Sequence, residues 1–221
     1  SAASDVYKRQ DQNGDFWDDV SGARLDKQRI KEARLEEIKQ LYKHKVYKKV
    51  PLNQCWEETG KAPVKVKWID INKGYDDNPL YRSRLVGKEF NMGEMDGIFA
   101  GTPPLEALRY LVHPAATING AEEESDYVIM INDIARAFFE ARAIRPTCVE
   151  IPPANRNQYA EEQDMVAILN MNLYGTRDAA LNWEAEYTRV LTKAGFTQGV
   201  SSPCIFLHSE KDLSAVVPAD H

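Results

Sequence analysis

Apolar residues recur at helical spacing in two long stretches of the chain. In residues 26–45 they fall at i, i+3, i+7 and i+11 on one face: Leu35, Ile38, Tyr42 and Val46. In residues 178–194 the positions i, i+4, i+7 and i+11 describe another face: Trp183, Tyr187, Val190 and Ala194. Such stripes predict amphipathic helices that pack on a core. Gly195 follows the second stripe, where a residue in the left-handed conformation ends many helices.

A third apolar pattern, in residues 101–117, predicts a helix that is interrupted. Thr102 can cap its first turn, and the prolines after it stand where amide donors have no helical partner. Pro114 lacks an amide hydrogen and would clash with the carbonyl of Tyr110, at a cost of about 3 kcal/mol. We therefore expect this helix to end or bend sharply at Pro114.

Other apolar segments have the period of β-strands. Residues 64–71 and 83–90 flank the turn-forming cluster 73–79, which predicts a β-hairpin. Further strands are predicted at 148–152 and 165–172, and at 204–208 and 213–217, which pair across a turn as a second hairpin. Together with the helices, these strands predict the α+β fold class.

One apolar run is distinctive because it leads directly to an acid. Residues 127–132 include the run Val128 to Ile131, which predicts a buried strand, and Asp133 follows it. A helix is expected to start at Ile134 and reach Ala141. A carboxylate at the end of a buried strand is costly unless it faces a cleft, pairs, or holds a metal. The alternative is that Asp133 is a turn residue or a helix cap.

The composition is that of a globular protein of one or two domains. The 221 residues are 43% hydrophobic and 28% charged, and a chain of this length can bury a core. No apolar run approaches the ~20 residues of a membrane span, and no secretory signal is recognisable. Cys55, Cys148 and Cys204 have no histidines at ligand spacing. We therefore expect free thiols and an intracellular location, cytoplasmic or nuclear, without membrane association.

The net charge of −6 argues mildly against a general phosphate-binding surface. The charge is uneven, however, because residues 39–50 and 61–68 are basic, whereas acids gather at 121–126 and 161–164. Two interpretations remain open. Either the basic stretches face a nucleic-acid template, or they are a solvated helix end and a lysine-protected strand.

Three segments of the chain, in this order, resemble those of the copia-type retrotransposon reverse transcriptases. They are YRSRLVGKEF (81–90), YVIMINDIARAFFE (127–140) and LYGTRDAALNW (173–183). The family shows R-L-V-A-K-G-F, then D-V-x-x-A-F, then S-L-Y-G-L-x-Q-A-x-R-x-W. Further similarity occurs at FWDDVSGARLD (16–26), FAGTPPLEALRYLV (99–112), CVEIPP (148–153) and AGFTQGVSSPCIFLH (194–208). The resemblance covers roughly residues 16–217.

The resemblance implies a fingers and palm fragment of a right-hand polymerase, with an antiparallel palm sheet flanked by helices. The hairpin near 64–90 would form the fingers, and strands near 127–132, 204–208 and 213–217 would form the palm sheet. The chain is then expected to divide into three regions. They are an adaptor-derived or disordered tail (1–15), a helical lead-in (16–62), and C-terminally truncated reverse transcriptase fingers and palm (63–221).

The implied activity is RNA-directed DNA polymerisation by two-metal nucleotidyl transfer. Family members hold two Mg2+ ions with three carboxylates, and the first corresponds to Asp133. Alignment of the family's V-V-x-G-D-D places Asp220 at the next aspartate and His221 at the last, with Pro218 and Ala219 in the tight turn. We therefore expect weak or absent magnesium binding and an inactive fragment. If the site forms, the carboxylates of Asp133 and Asp220 are expected roughly 3–6 Å apart.

Contacts with charged ligands are implied for four basic residues. Arg82, Arg84 and Lys88 correspond to positions that contact the triphosphate of a deoxynucleotide, and strand spacing places them on one face. The alternative for these three is a solvated strand face. Arg177 corresponds to a position that faces the template.

Four positions correspond to the nucleotide pocket of the family. Phe138 matches the bulky residue that excludes the ribose 2′-hydroxyl, and Ala137 before it is implied to contact the deoxynucleotide. The alternative for Phe138 is a core aromatic. Tyr174 and Gly175 match the L-Y-G turn that lines the pocket, where glycine allows close backbone approach. Trp183 belongs to the helix beyond this turn and is interpreted as a core residue rather than a template contact.

The implied partners are an RNA template, a DNA primer, deoxynucleoside triphosphates, and the rest of a polyprotein. That polyprotein would place an integrase upstream and a thumb and ribonuclease H downstream. Two alternatives remain open. One is a decayed or domesticated nucleic-acid-binding protein without catalysis on the same scaffold. The other is an unrelated α/β binding domain in which Asp133 caps a helix.

Overall fold

The computed structural model describes residues 15–75, 77–89, 103–116, 128–152 and 164–217. Its contacts define two compact units. The first unit comprises residues 1–91 and 143–177, and the second comprises residues 92–142 and 178–221. Helices and antiparallel sheets occur in both units, which confirms the predicted α+β class.

Nine elements form the described part of the first unit. In chain order they are β1 (Phe16–Trp17), β2 (Arg24–Leu25), α1 (Lys27–Lys43), β3 (Tyr47–Pro51), α2 (Leu52–Thr59), β4 (Val66–Asn72), β5 (Tyr81–Gly87), β6 (Cys148–Val149) and β7 (Met165–Leu169). Strands β1 and β2 pair with each other, as do β4 and β5, and a third sheet has the order β3-β7-β6. Every one of these strand pairs is antiparallel.

Helix α1 confirms the helix predicted for residues 26–45. The carboxylate of Asp26 caps it by accepting the N–H of Arg29 at 2.8 Å. The buried face matches the predicted one only in part, because Ile38 is buried as predicted, together with Ile30 and Leu41, whereas Leu35 is 53% exposed. The apolar residues of α1 permit two neighbouring stripes, and packing against β5 selects one of them.

The sheet β3-β7-β6 has its own small core. Val50, Cys55, Cys148, Val166 and Ile168 are buried together, with Cys55 supplied by α2. The predicted strands at 148–152 and 165–172 appear in shorter form as β6 and β7. Neither β3 nor α2 was predicted, because their short segments lack a clear period and depend on pairing with β7.

The predicted hairpin of residues 64–90 is confirmed by β4 and β5. They pair in register from Val66 opposite Gly87 to Asn72 opposite Tyr81. One face of the hairpin is buried: Trp68, Asp70, Ser83 and Leu85. Helix α1 packs against β5. The alternate residues of β5, including Arg82 and Arg84, therefore lie on the opposite face.

The second unit contains two helices and one sheet in its described part. In chain order they are α3 (Leu105–Ala116), α4 (Ala179–Lys193), β8 (Thr197–Gln198), β9 (Ile205–His208) and β10 (Leu213–Val216). The antiparallel sheet has the order β10-β9-β8, which confirms the hairpin predicted for residues 204–217. Helix α4 confirms the helix of residues 178–194, and Gly195 after it has φ +97°.

Aromatic packing fixes α4 on its sheet. The rings of Trp183 and Tyr187 meet edge to face with centroids 5.6 Å apart, and Tyr187 meets Phe206 of β9 at 5.9 Å. Both α4 aromatics are buried, as the predicted stripe requires. Val190 is 48% exposed, so the stripe ends there. Trp183 is thus a core residue.

The buried strand predicted for residues 127–132 is wrong. Residues 128–134 have no strand structure, and Val128 and Ile131 are each 91% exposed. A strand needs a neighbouring backbone for its hydrogen bonds, and apolar composition does not supply one. The sheet of the second unit therefore consists of β8, β9 and β10 in the described residues. The helix expected from Ile134 is reduced to a 3-10 turn at Ala137–Glu140.

The helix that was predicted to end or bend sharply at Pro114 does not end there, and the sharp bend stays a prediction. Helix α3 continues through Pro114 to Ala116. Pro114 lies in the last described turn and lacks the amide hydrogen that would bond to the carbonyl of Tyr110. None of the helices in the described part of the chain combines the length and apolar character that crossing a bilayer demands.

Candidate functional site

The end of β5 and the turn after β7 touch through their backbones. The N–H of Gly87 donates to the carbonyl of Tyr174 at 2.7 Å, and the N–H of Glu89 donates to the carbonyl of Gly175 at 3.3 Å. Gly175 has φ +73°, and a Cβ added there would meet the carbonyl oxygen of Gly87. Both the conformation and the close approach require glycine at this position. The first unit thus unites segments of two predicted motifs.

Arg84 joins these segments through its side chain. Its guanidinium carbon lies 4.8 Å from the ring centroid of Tyr174, which is a cation–π contact. The Nε atom of Arg84 is buried and has no hydrogen-bond partner in the described part of the chain. A buried donor of this kind favours a ligand that brings an acceptor.

The other two predicted triphosphate contacts follow the same strand. Arg82 shares the face of Arg84, and Lys88 lies just beyond β5, where its N–H donates to the carbonyl of Lys65 at 2.7 Å. All three side chains are partly exposed. Within the first unit, the structure therefore brings Arg84 against Tyr174, and Lys88 lies between Gly87 and Glu89, whose N–H groups bond to the same turn.

A carboxylate that the sequence analysis did not identify connects this site to two arginines. Oε2 of Glu89 accepts from Nη2 of Arg145 at 2.8 Å and from the backbone N–H of Arg177 at 2.9 Å. Glu89 is 18% exposed in its side chain. The sequence did contain a signal, because the family segment R-L-V-A-K-G-F has glycine at the position of Glu89.

A buried ion pair supports the hairpin from its other face. Arg34 of α1 pairs with both carboxylate oxygens of Asp70, at 3.2 and 2.5 Å, and the hydroxyl of Ser83 donates to the same carboxylate at 2.6 Å. The guanidinium of Arg34 also lies 4.7 Å from the ring of Phe16 and 5.1 Å from that of Trp68. Arg34 thereby connects α1, the β4–β5 hairpin and β1.

Two acids after β1 bind the edge of β4. Oδ2 of Asp19 accepts the N–H of Asp70 at 2.8 Å, and Oδ2 of Asp18 accepts the N–H of Asn72 at 2.6 Å. Burial alone would raise the pKa of Asp18. Its hydrogen bonds from backbone N–H groups, including that of Asn72, outweigh burial and hold the pKa below the usual value. We call residues 16–25 the clasp, because they fasten the edge of the hairpin.

The remaining predicted site residues lie in the second unit. Asp133 is exposed in an irregular segment, whereas Ala137 and Phe138 are buried in the 3-10 turn at 1% and 8% exposure. Burial of Phe138 agrees with the core-aromatic alternative. Asp220 lies outside the described residues, so its distance from Asp133 stays a prediction. The same holds for a cleft shared by residues of the two units.

The described residues do not by themselves fit a magnesium ion. Within the described ranges, no group of three or more His, Cys, Asp or Glu side chains lies close enough to hold a metal. The three cysteines are free thiols, as expected, and all three are buried. Burial and the neighbouring thiol of Cys55 raise the pKa of Cys148 to about 12, so it is a poor nucleophile or metal ligand at neutral pH.

Comparison with known proteins agrees with the order of the motifs. A family model described as reverse transcriptase (RNA-dependent DNA polymerase) matches residues 44–218. The Retrovirus-related Pol polyprotein from transposon TNT 1-94 of Nicotiana tabacum is 27% identical over 186 residues. That alignment covers 82% of this chain and 13% of the Pol polyprotein. No solved structure matches. Because the model spans most of the sequence, the chain belongs to the reverse transcriptase (RNA-dependent DNA polymerase) family, as its resemblance to copia-type enzymes predicts.

Proposed function

We propose that this chain is the fingers and palm segment of a copia-type retrotransposon polyprotein, which copies RNA into DNA. The observation that supports this most is the contact between β5 and the turn at Tyr174 and Gly175. Two motifs that are far apart in sequence meet there, and they bring cationic side chains beside a turn that only glycine can form.

The site offers suitable chemistry for a deoxynucleoside triphosphate. Arg84 has a buried Nε–H without a partner in the described residues, and Arg82 on β5 and Lys88 just beyond it add positive charge. Guanidinium groups bind phosphate oxygens through paired hydrogen bonds, and an ammonium adds a point charge. Tyr174 holds the Arg84 guanidinium by cation–π contact, which orders it before a ligand arrives.

The metal-dependent part of the proposal rests on Asp133 and Asp220. These carboxylates would hold Mg2+, which activates the primer hydroxyl and neutralises the triphosphate when bound. The described residues alone do not assemble this site, and Asp133 is exposed there. The proposed partners are an RNA template, contacted by Arg177, a DNA primer, and the remaining regions of the polyprotein, all acting inside the cell.

The metal role is tested in a longer Pol protein that contains this segment, an intact Gly-Asp-Asp turn and the thumb. We expect Asp133→Asn to reduce primer extension on an RNA template to background, because an amide is a poor magnesium ligand. Asp212→Asn is the matched control, since Asp212 is an exposed aspartate of the same unit whose left-handed conformation asparagine tolerates. Unchanged extension by the Asp133 variant would contradict the proposal.

The triphosphate role is tested in the same protein by steady-state kinetics. Arg84→Ala should raise the KM for deoxynucleotides about tenfold, since one hydrogen bond to a charged group contributes roughly 1.5–3 kcal/mol. Arg189→Ala is the control, because Arg189 is exposed on α4 and pairs with Glu186. An unchanged KM in the Arg84 variant would remove this residue from the site.

A non-catalytic nucleic-acid-binding protein is the second candidate. It is favoured by the histidine at position 221, where the family has its last aspartate, and by the exposed position of Asp133. This candidate predicts that the chain binds a primer–template duplex, and that restoring Gly-Asp-Asp does not produce extension. Extension after that restoration would eliminate it.

A further inference from the structure

The carboxylate of Glu89 occupies a point where two donors converge. Its Oε2 accepts from the guanidinium of Arg145 at 2.8 Å and from the backbone N–H of Arg177 at 2.9 Å. The backbone of Glu89 is itself fixed, because its N–H donates to the carbonyl of Gly175 at 3.3 Å. These residues come from three segments of the first unit. Arg145 precedes β6, Glu89 follows β5, and Gly175 and Arg177 belong to the turn after β7.

Such a pair of donors is suited to an anionic oxygen. A guanidinium and a backbone N–H aimed at one oxygen are a recurrent means of binding phosphate and carboxylate groups. The Glu89 side chain is 18% exposed and that of Arg145 is 36% exposed, so an external ligand can approach from solvent. Of the proposed triphosphate contacts, Lys88 is adjacent to Glu89, and the guanidinium of Arg84 lies against Tyr174 of the same turn.

We propose that Glu89 is an internal anion that fills a phosphate-oxygen site formed by Arg145 and the N–H of Arg177, and that it competes with a polyphosphate ligand. This inference deepens the proposed function, on which it relies only for identifying the ligand as a nucleoside triphosphate. The family segment quoted above has glycine at this position, which has no carboxylate to compete with a ligand. Glu89 therefore weakens triphosphate binding in this chain.

A purely structural role of Glu89 predicts the opposite result. If the carboxylate only fastens the turn at Tyr174 to Arg177, its neutralisation would loosen the turn and weaken binding of any anion. If the carboxylate competes with the ligand, its neutralisation strengthens binding. The sign of the change in affinity therefore distinguishes the two roles.

The test is calorimetric binding of inorganic tripolyphosphate to the 221-residue protein at fixed ionic strength and without Mg2+. We expect Glu89→Gln to bind it about tenfold more tightly than the parent protein, because a competing charge-assisted contact is removed. Glu186→Gln is the matched control. Glu186 also accepts from an arginine, Arg189 at 2.6 Å, and its substitution changes the net charge equally. The control should bind as the parent does.

Two further variants assign the site. Glu89→Gly should also bind more tightly, and Arg145→Ala combined with Glu89→Gln should lose the gain. Equal or weaker binding by Glu89→Gln, a gain that persists without Arg145, or loss of folding in both Glu89 variants would each overturn the inference. Failure of the proposed function would look different. Tripolyphosphate binding would then respond to Glu89 as expected, while the Asp133 and Arg84 substitutions left primer extension unchanged.

Discussion

Gly175 shows how much a single residue determines at the candidate site. Its φ of +73° belongs to the left-handed region, and its Cα hydrogen faces the backbone of Gly87 at the end of β5. A side chain would also lie 2.5 Å from Cγ1 of Val86. The close approach allows the N–H of Gly87 to reach the carbonyl of Tyr174. The turn and the strand are thus joined only because this residue lacks a Cβ.

We predict that Gly175→Ala destabilises the protein more than Gly60→Ala does. Gly60 has a similar φ of +64°, but a Cβ there would meet no atom within 4 Å. The Gly60 variant should lose about 1 kcal/mol of unfolding free energy from conformation alone. The Gly175 variant should lose about 1–3 kcal/mol more, because the backbone of Gly87 must move. Urea unfolding measures both, and equal losses would contradict the proposed contact.

Asp18 gives the clasp a defined pH dependence. Its folded pKa lies below that of the unfolded chain, about 3.9, so its contribution to stability is complete above that pH. The contribution is lost as the pH falls through the lowered folded pKa. Asp18→Asn should therefore reduce the unfolding free energy by roughly 1–3 kcal/mol at pH 7, and by less in acid. A difference that stays constant from pH 7 to strong acid would refute this account.

At the scale of elements, the β4–β5 hairpin is held on two sides. Helix α1 covers one face and contributes Arg34, which lies between aromatic rings and pairs with Asp70. The clasp binds the edge of β4 through Asp18 and Asp19. These contacts leave the face of Arg82 and Arg84 for a ligand, because each uses either the opposite face or the edge.

The buried ion pair of Arg34 and Asp70 contributes measurably to the unfolding free energy. Asp70→Ala should lower the unfolding free energy by about 3–5 kcal/mol, since Arg34 and Ser83 lose their shared acceptor in a buried place. Glu186→Ala removes the corresponding acceptor from the exposed pair with Arg189 and should cost at most about 1 kcal/mol. Comparable losses in the two variants would show that the Asp70 pair is not effectively buried.

Helix α3 contains a proline whose replacement is expected to stabilise the protein. Pro114 lies within the helix and lacks the N–H that would bond to the carbonyl of Tyr110. Pro114→Leu should therefore raise the thermal midpoint, with a gain of up to about 3 kcal/mol. Pro104→Leu is the control, because Pro104 precedes the first residue of α3, where proline is tolerated. A lower midpoint for the Pro114 variant would contradict this prediction.

At the scale of the whole molecule, the first compact unit begins before the region that the family model matches. The family model begins at residue 44, yet the clasp and the whole of α1 lie before that position and contact β4 and β5. The folded first unit therefore includes residues outside the matched region. A fragment cut to the matched region would lose the clasp and its hydrogen bonds to β4.

The activity of the complete 221-residue chain is predicted to be at background. His221 stands where the family has its last aspartate, and no metal-binding group forms within the described ranges. Calorimetry should show weak magnesium binding, and primer extension on RNA should match a blank. Restoring Gly-Asp-Asp after Val217, with a thumb appended, should be necessary for activity. Appreciable extension by the unaltered chain would refute this prediction.

Local patterns in the sequence were sufficient for several elements and for the family. The helices α1 and α4, the hairpins β4–β5 and β9–β10, and the glycine after α4 depend on periodicity and turn residues that are close together. The order of the motifs, which indicated a reverse transcriptase, is likewise a property of the sequence itself. The helices and hairpins are set by interactions within a helix turn or between neighbouring strands, so residues close together in sequence determine them.

Tertiary structure alone decided the features that depend on distant partners. The strand β3 exists because β7 pairs with it, and residues 128–132 form no strand because no backbone pairs with them in the described chain. The buried face of α1 was selected by β5 rather than by its own pattern. Glu89 meets Arg145 and Arg177, which are 56 and 88 residues away. Hydrogen bonding and burial at such separations are decided by the folded chain, and no local period encodes them.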